Sequence, residues 1–349
     1  MRIIDFRSDT VTKPSPEMWE VIKSMDNSKL GDDVERDDPT VLELEAKAAK
    51  VVGKDAALFV TSGTQGNLIS LLAQTTPGEE ILVDEQSHIY KWEVGGAARM
   101  GGLMVRTFPS NKGMFNPNNL QSLIRPHDDI HQPITSMICL ENSQNYYGGI
   151  ALPTSLFKET RDFADQNHLK LHVDGARIFN AAIARKIDVK EYTKFVDSVQ
   201  FCLSKGLSCP IGSIIAGSHE FIDSAIKWRK MLGGGWRQAG IIASMGVVAL
   251  EQKWIDRLSV DNQLAKNLGT ILSGMDLPIN IPEPDTNILM VEVPTHLDMP
   301  KLEHSLESAG IRTHAMGQRI RIVTHSGINQ DDIEYSAQII SDVIRKSVL

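Results

Sequence analysis

From residue 57 to residue 217, short β-rich runs alternate with helix-length amphipathic segments, and no other feature narrows the possible folds as much. The runs are ALFVTSG (57–63), EILVDE (80–85), LMVRTF (103–108), SMICLEN (136–142), KLHVDG (170–175), SVQFCLS (198–204) and GSIIAG (212–217). Between two of them, Leu156, Phe157, Phe163 and Ala164 share one helical face. Strands that alternate with helices pair mostly in parallel, so the expected class is α/β, with a mostly parallel central sheet flanked by helices. A helical stretch over 237–257 leads to NILMVEV (287–293), RIRIVTH (319–325) and a last helix. In that helix Ile333, Ala337, Ile340 and Ile344 form an apolar stripe, and Asn329 is placed to cap it. We divide the chain into a segment over 1–45 that packs across both domains, a large α/β domain over 46–259 and a smaller C-terminal α+β domain over 260–349.

Composition removes several partner classes. Lys plus Arg number 36 against 44 Asp plus Glu, a net charge of -8 without long blocks of one sign, which disfavours nucleic acid and anionic membranes as partners. The longest apolar stretch, Ile241 to Leu250, falls far short of the about 20 residues a bilayer requires. MRIIDFRSDTV at the start carries charges where a secretory core would be apolar, so a cytoplasmic protein is expected. Cys139, Cys202 and Cys209 form no C-x-x-C pair, and the histidines show no H-E-x-x-H spacing, so no metal site is expected.

In open parallel sheets ligands bind at the carboxyl ends of the strands, which directs attention to the polar residue after each apolar run. Lys205, beside Ser204, follows SVQFCLS. An amine in such a place is costly unless solvated, paired or used covalently, and desolvation frees its nitrogen as a nucleophile. Asp174 ends the run LHVD one helix earlier, with Arg177 three residues on. This aspartate suits a metal, a ribose or a pyridine nitrogen; an Asp–Arg pair capping a loop is the plainer alternative. In LFVTSGTQGNLISLL a strand and the turn Thr61 to Thr64 precede a helix beginning near Gln65 to Asn67. Free amides and the positive end of a helix suit a single phosphate there, although neither nucleotide-binding glycine pattern is present. Amine, carboxylate and phosphate cradle together meet the needs of pyridoxal phosphate.

Several stretches then resemble one family, the low-specificity L-threonine aldolases: DFRSDTVTKPS, GDDVERDDPTVLELE, FVTSGTQGNLI, ENSQN, LHVDGARIFNA, CLSKGLSCPIGS, WRKMLGGGWRQAG and IRIVTHSGI. The resemblance covers essentially the whole chain and implies fold type I of the pyridoxal-phosphate enzymes. It implies that Lys205 carries the cofactor covalently, with Ser204 beside it, and that Asp174 pairs with the pyridine nitrogen. Arg177 would lie near the ring hydroxyl, and Gly63 and Thr64 would hold the phosphate. Arg237 is similar to an arginine that reaches a phosphate across a subunit interface. His88 is similar to the histidine that stacks on the ring, with Glu93 beside it. Ser8 and Arg321 look like the pair that grips the substrate carboxylate, a task suited to the planar fork of arginine. A homo-oligomer is implied, a tetramer built as a dimer of dimers with shared sites.

Two positions depart from the family pattern. Gln144 stands where a histidine is common, and Glu35 where a tyrosine is common; both are candidate substrate-binding positions. Glutamine cannot act as a base or carry a proton near neutral pH, so substrate preference is the property these changes would touch. The implied reaction cleaves threonine or allo-threonine to glycine and an aldehyde. A β-eliminating lyase using the same cofactor is the nearest rival, and a non-catalytic relative is disfavoured because Lys205 and Asp174 are both retained.

Overall fold

The computed structural model describes residues 2–126 and 128–348. Its strands in chain order are β1 (Ile4–Asp5), β2 (Ala56–Val60), β3 (Glu80–Asp84), β4 (Met104–Phe108), β5 (Thr135–Glu141) and β6 (Lys170–Asp174). They continue with β7 (Ser198–Cys202), β8 (Ser213–Gly217), β9 (Ile288–Glu292), β10 (Ile311–Arg312), β11 (His314–Ala315) and β12 (Arg319–Val323). The seven strands β2 to β8 form one sheet in the order β2-β8-β7-β6-β5-β3-β4. Every pairing is parallel except the two made by β8, which runs against both neighbours. Because β8 reverses direction, β2 again points the same way as β7. Val60 and Cys202 face the same β8 residue, Ser213, so the carboxyl ends of β2 and β7 lie level.

Local sequence explains the helices around this sheet. Ser15 caps Pro16–Lys23 by accepting from the Met18 N–H, and Asp38 caps Pro39–Val52 by accepting from Thr40 and Val41. The latter helix stops at Gly53, whose φ of 64° is the left-handed conformation glycine adopts freely. In Thr154–Gln166 the residues Leu156, Phe157, Phe163 and Ala164 are all buried. The helical stretch over 237–257 is not continuous. Asp38 accepts from the Gly240 N–H and Asp33 donates its N–H to the Arg237 carbonyl, which holds 237–239 as a loop. The helix Gly240–Ala249 then ends at Leu250, and extended Glu251 separates it from Gln252–Asp256.

A second apolar cluster gathers Ile4, Phe6, Leu264, Leu268, Leu289, Ile320, Ile322 and the stripe Ile333, Ala337, Ile340 and Ile344. It sits beneath the three-stranded sheet β11-β12-β9. Asn329 accepts from the Asp332 N–H and Asp332 accepts from the Asn329 N–H, a reciprocal cap on the last helix, Gln330–Val348. The N-terminal strand β1 pairs in parallel with β10, so Ile4 and Phe6 join this cluster while Met18, Val41 and Leu44 join the core of the large sheet. No helix among the described residues is long and apolar enough to cross a membrane.

Candidate active site

Adjacent parallel strands β5, β6 and β7 end at Glu141, Asp174 and Cys202, and Lys205 lies just beyond the last. Their carboxyl ends open on a cavity of about 220 Å³. Six of the residues singled out in the sequence line it together: Ser8, His88, Asp174, Arg177, Lys205 and Arg321. Thr10, Trp92, Glu141, Ser143, Asn145, Ala176, His314 and Met316 complete the lining. Gly63, Thr64, Ser204, Arg237, Gln144 and Glu35 are not among the lining residues.

Asp174 is 2% exposed and keeps two partners: its Oδ2 accepts from Asn67 Nδ2 at 2.8 Å and its Oδ1 from the Ala176 N–H at 3.1 Å. Arg177 is clamped by Asp9, whose two oxygens accept from Nε and Nη2 at 2.7 Å each. Burial alone would push the Asp9 carboxyl up. The Arg177 charge and hydrogen bond, with Lys205 and Arg321 nearby, outweigh it and hold Asp9 far below the usual carboxylate range.

Arg321 lacks such a partner. Its Nη1 donates to the Arg7 carbonyl at 3.0 Å and its Nη2 to Asn145 Oδ1 at 2.8 Å, while the buried Nε has no acceptor. Burial lowers its pKa to about 10, with Arg177 adding to the effect. No carboxylate among the described residues forms an ion pair with it, so it offers a guanidinium to an anion entering the cavity. Ser8, the residue after the Arg7 carbonyl that Arg321 holds, lines the same cavity and caps the short turn Asp9–Val11.

His88 opens the short helix His88–Lys91, and its N–H donates to Glu141 Oε2 at 2.6 Å. The other Glu141 oxygen accepts from the Asn145 N–H at 2.8 Å. One carboxylate thus pins both the histidine and the loop that holds Asn145 against Arg321. Burial raises the Glu141 carboxyl to about 7, with the Asp174 charge adding to it. The His88 ring shares its Nδ1 with Glu93 Oε1 at 2.8 Å. Burial opposes charging of this ring, but the Glu93 hydrogen bond and the charges of Asp174, Glu93 and Glu141 leave its pKa above the ordinary histidine value. Glu93 itself is raised, first by burial. His88, Glu93 and Asp174 offer ligand atoms within 4.8 Å of one another, but Asn67 Nδ2 already bridges the two carboxylates, so we read a hydrogen-bond network rather than a metal centre.

The helix near the phosphate cradle starts earlier than the sequence suggests. It spans Gly63–Leu72, with Ser62 as the cap, because the Ser62 side chain accepts from the Gln65 N–H. Gly63 and Thr64 therefore occupy the first turn, and their amides have no acceptor among the described residues. A Cβ on Gly63 would stand 2.9 Å from Cys202 Sγ, so a glycine here lets the helix end abut the strand that leads to Lys205. These features fit pyridoxal phosphate: an amine at one wall, a buried carboxylate at another, and open amides at a helix start beside them.

The remaining positions lie elsewhere. Gln144 is 1% exposed, and its Oε1 accepts from the Tyr146 N–H at 3.1 Å. Glu35 and Arg237 are exposed on neighbouring loops, where Arg237 pairs with Asp32 at 2.8 Å. Asp9, Asn67, Glu141 and Asn145 had not been singled out. The only sequence signal for them is their place within quoted motifs: Asp9 in DFRSDTVTKPS, Asn67 in FVTSGTQGNLI, and Glu141 and Asn145 in ENSQN.

Comparison with known proteins gives concordant results. The beta-eliminating lyase family matches residues 5–296. A low-specificity L-threonine aldolase of Escherichia coli strain K12 is 39% identical over 332 residues, 95% of this chain and 96% of the relative. Low-specificity L-threonine aldolase 1 of Arabidopsis thaliana is 39% identical over 343 residues, 96% of this chain and 95% of the relative. Among solved structures, the threonine aldolase of Leishmania major superposes with a TM-score of 0.85 over 97% of this chain and 99% of that one, at 16% identity, and shares the fold.

Proposed function

The chain belongs to the low-specificity L-threonine aldolases of the beta-eliminating lyase family, pyridoxal-phosphate-dependent lyases, and on that footing we propose that it cleaves L-threonine, L-allo-threonine and related β-hydroxy amino acids to glycine and an aldehyde. The observation that carries this reading is the convergence of Lys205, Asp174 and an arginine free of any carboxylate, Arg321, on one cavity.

When bound, pyridoxal phosphate supplies an electron sink for the pair released as the substrate Cα–Cβ bond breaks. Lys205, in the cavity wall, would hold the cofactor through Nζ. Asp174, fixed by Asn67 and the Ala176 amide, would keep a proton on the pyridine nitrogen. Gly63 and Thr64 offer their amides to the phosphate. Arg177, steadied by Asp9, would serve the hydroxyl side of the ring. Arg321 and Ser8 take the substrate carboxylate and so orient the bond to be broken. His88 takes the β-hydroxyl proton at Nε2, since Glu93 occupies Nδ1. Gln144 and Glu35, at the positions that depart from the family pattern, set the preference among substrates. Gln144 acts through its neighbours Ser143 and Asn145, which line the cavity.

The working form in this reading is a cytoplasmic homotetramer, a dimer of dimers in which Arg237 reaches the phosphate of an adjacent copy. Exposed Trp19, Met231, Ile241, Ile242 and Val94 support a covering partner. Val94 is 96% exposed and is β-branched with a φ of 55°, a strained position in an isolated chain. The deciding experiment supplies the protein and pyridoxal phosphate with L-threonine and, separately, with L-serine and L-cysteine. Glycine and acetaldehyde from threonine support the proposal; pyruvate and ammonia from serine or cysteine, without glycine from threonine, would replace it with β-elimination.

A further inference from the structure

From Asp174, which lines the cavity, a file of polar groups outside the lining runs through the protein to half-buried Gln74. Asn67 Nδ2 donates to Asp174 Oδ2 at 2.8 Å and to Glu93 Oε1 at 2.7 Å. Asn67 Oδ1 faces His172 Nε2 at 3.3 Å, and His172 Nδ1 faces Ser198 Oγ at 2.8 Å. Ser198 Oγ in turn accepts from Gln74 Nε2 at 2.7 Å, and the same Nε2 donates to the Ser70 carbonyl at 2.8 Å. Asn67, His172 and Ser198 are each 1% exposed or less.

Both ends of this file fix the direction of its protons. At one end two carboxylate oxygens accept, so the Asn67 group facing them is its NH2 and its oxygen faces His172. At the other end a backbone carbonyl accepts, so the Gln74 group facing Ser198 is also its NH2, and Ser198 directs its own proton onward to His172. The one histidine state that satisfies both neighbours is neutral, with its proton on Nε2 and a lone pair on Nδ1. Complete burial favours the neutral ring as well, lowering its pKa to about 4.

We infer that His172, which touches neither cofactor nor substrate, is a positioning residue: its Nε2–H locks the Asn67 amide so that both amide protons point at Asp174 and Glu93. Without that donor the Asn67 oxygen would be buried without a partner, and a flip of the amide would set an oxygen against two carboxylates. The two acids that serve the pyridine nitrogen and His88 share this one amide, so a single buried ring orients both. The inference rests on the reading of the cavity as a pyridoxal-phosphate site, and its test is chosen to separate the two.

The test uses 15N-histidine NMR of the full-length chain at neutral pH, with pyridoxal phosphate bound and after its removal, the His172 signal being identified by its loss in His172→Gln. The expected result in both forms is a neutral Nε2–H tautomer; an Nδ1–H tautomer or a charged ring overturns the inference. In parallel, the cofactor dissociation constant is measured for His172→Phe and His172→Gln. The phenylalanine should weaken binding about tenfold or more, and the glutamine, whose Nε2 can still donate to Asn67, should recover most of that loss. A glutamine variant as weak as the phenylalanine one means the ring only fills space, and the inference fails. Should the phenylalanine variant not fold, the tautomer in the unaltered chain decides. If the unaltered chain binds no pyridoxal phosphate, it is the functional reading that falls, while the NMR result stands by itself.

Discussion

Asp9 and Arg177 meet through two parallel hydrogen bonds of 2.7 Å, with the carboxylate fully buried and the guanidinium side chain 5% exposed. Breaking a buried pair of this kind leaves one uncompensated charge. Asp9→Asn should therefore lower stability by about 3–5 kcal/mol, read from urea unfolding of the cofactor-free protein, and a loss under about 1 kcal/mol would mean water replaces the missing charge.

Lys205→Ala should remove the visible absorbance of the loaded protein and its covalent labelling after borohydride reduction, while the fold, read by circular dichroism, persists. A labelled peptide from any other lysine would move the cofactor elsewhere.

Arg321 has no carboxylate partner of its own in the cavity, so its removal affects chiefly the anion it receives. A charge-assisted hydrogen bond contributes about 1.5–3 kcal/mol, so Arg321→Ala should raise KM about tenfold to a hundredfold. Steady-state kinetics with L-threonine decides, and an unchanged KM takes this arginine out of substrate binding.

The His88 pKa lies above the ordinary histidine value of 6.5, and a base must be neutral to act. The rate should accordingly climb with pH through a midpoint above 6.5. His88→Asn should erase that limb and lower kcat by about 10²–10⁴. A limb that survives in the variant assigns the proton to another group.

Glu141 holds its proton more tightly folded than unfolded. Its contribution is unpenalised below the unfolded value of 4.5 and declines as pH climbs toward about 7. Relative to Glu141→Gln, the unaltered protein should thus lose roughly 1–3 kcal/mol between those limits, followed by urea midpoints of the cofactor-free forms. Parallel curves for the two proteins would show that the carboxyl is already ionised at the acid end.

The longer strands are legible as apolar runs, and the polar residues that follow two of them expose Asp174 and Lys205, whereas β1, β10 and β11, two residues each, leave no run to read. What one run cannot reveal is its direction: GSIIAG reads the same whether β8 is parallel or, as found, antiparallel. The sequence pattern puts the start of the helix Gly63–Leu72 two to four residues late, near Gln65 to Asn67, because glycine in a first turn carries no propensity signal, whereas the cap from Ser62 is a matter of geometry. Asn67 and His172 stayed hidden for another reason. Polar residues inside a helix and a strand ordinarily face water, and only the tertiary packing turns these two toward each other. Arg177 was visible, but its partner Asp9 lies too far away in the chain to be inferred.

The N-terminal residues join the second apolar cluster before any of them reaches the cavity. β1 pairs with β10, the Phe6 carbonyl accepts from Val323, the Arg7 carbonyl from Arg321, and only then do Ser8 and Asp9 arrive. During synthesis on the ribosome these residues emerge well before their docking partners in β10 and β12, which follow more than 300 positions later. A nascent chain carrying Lys205 and Asp174 alone therefore has an unfinished pocket, and assembly of a competent enzyme waits until β10 and β12 have been made.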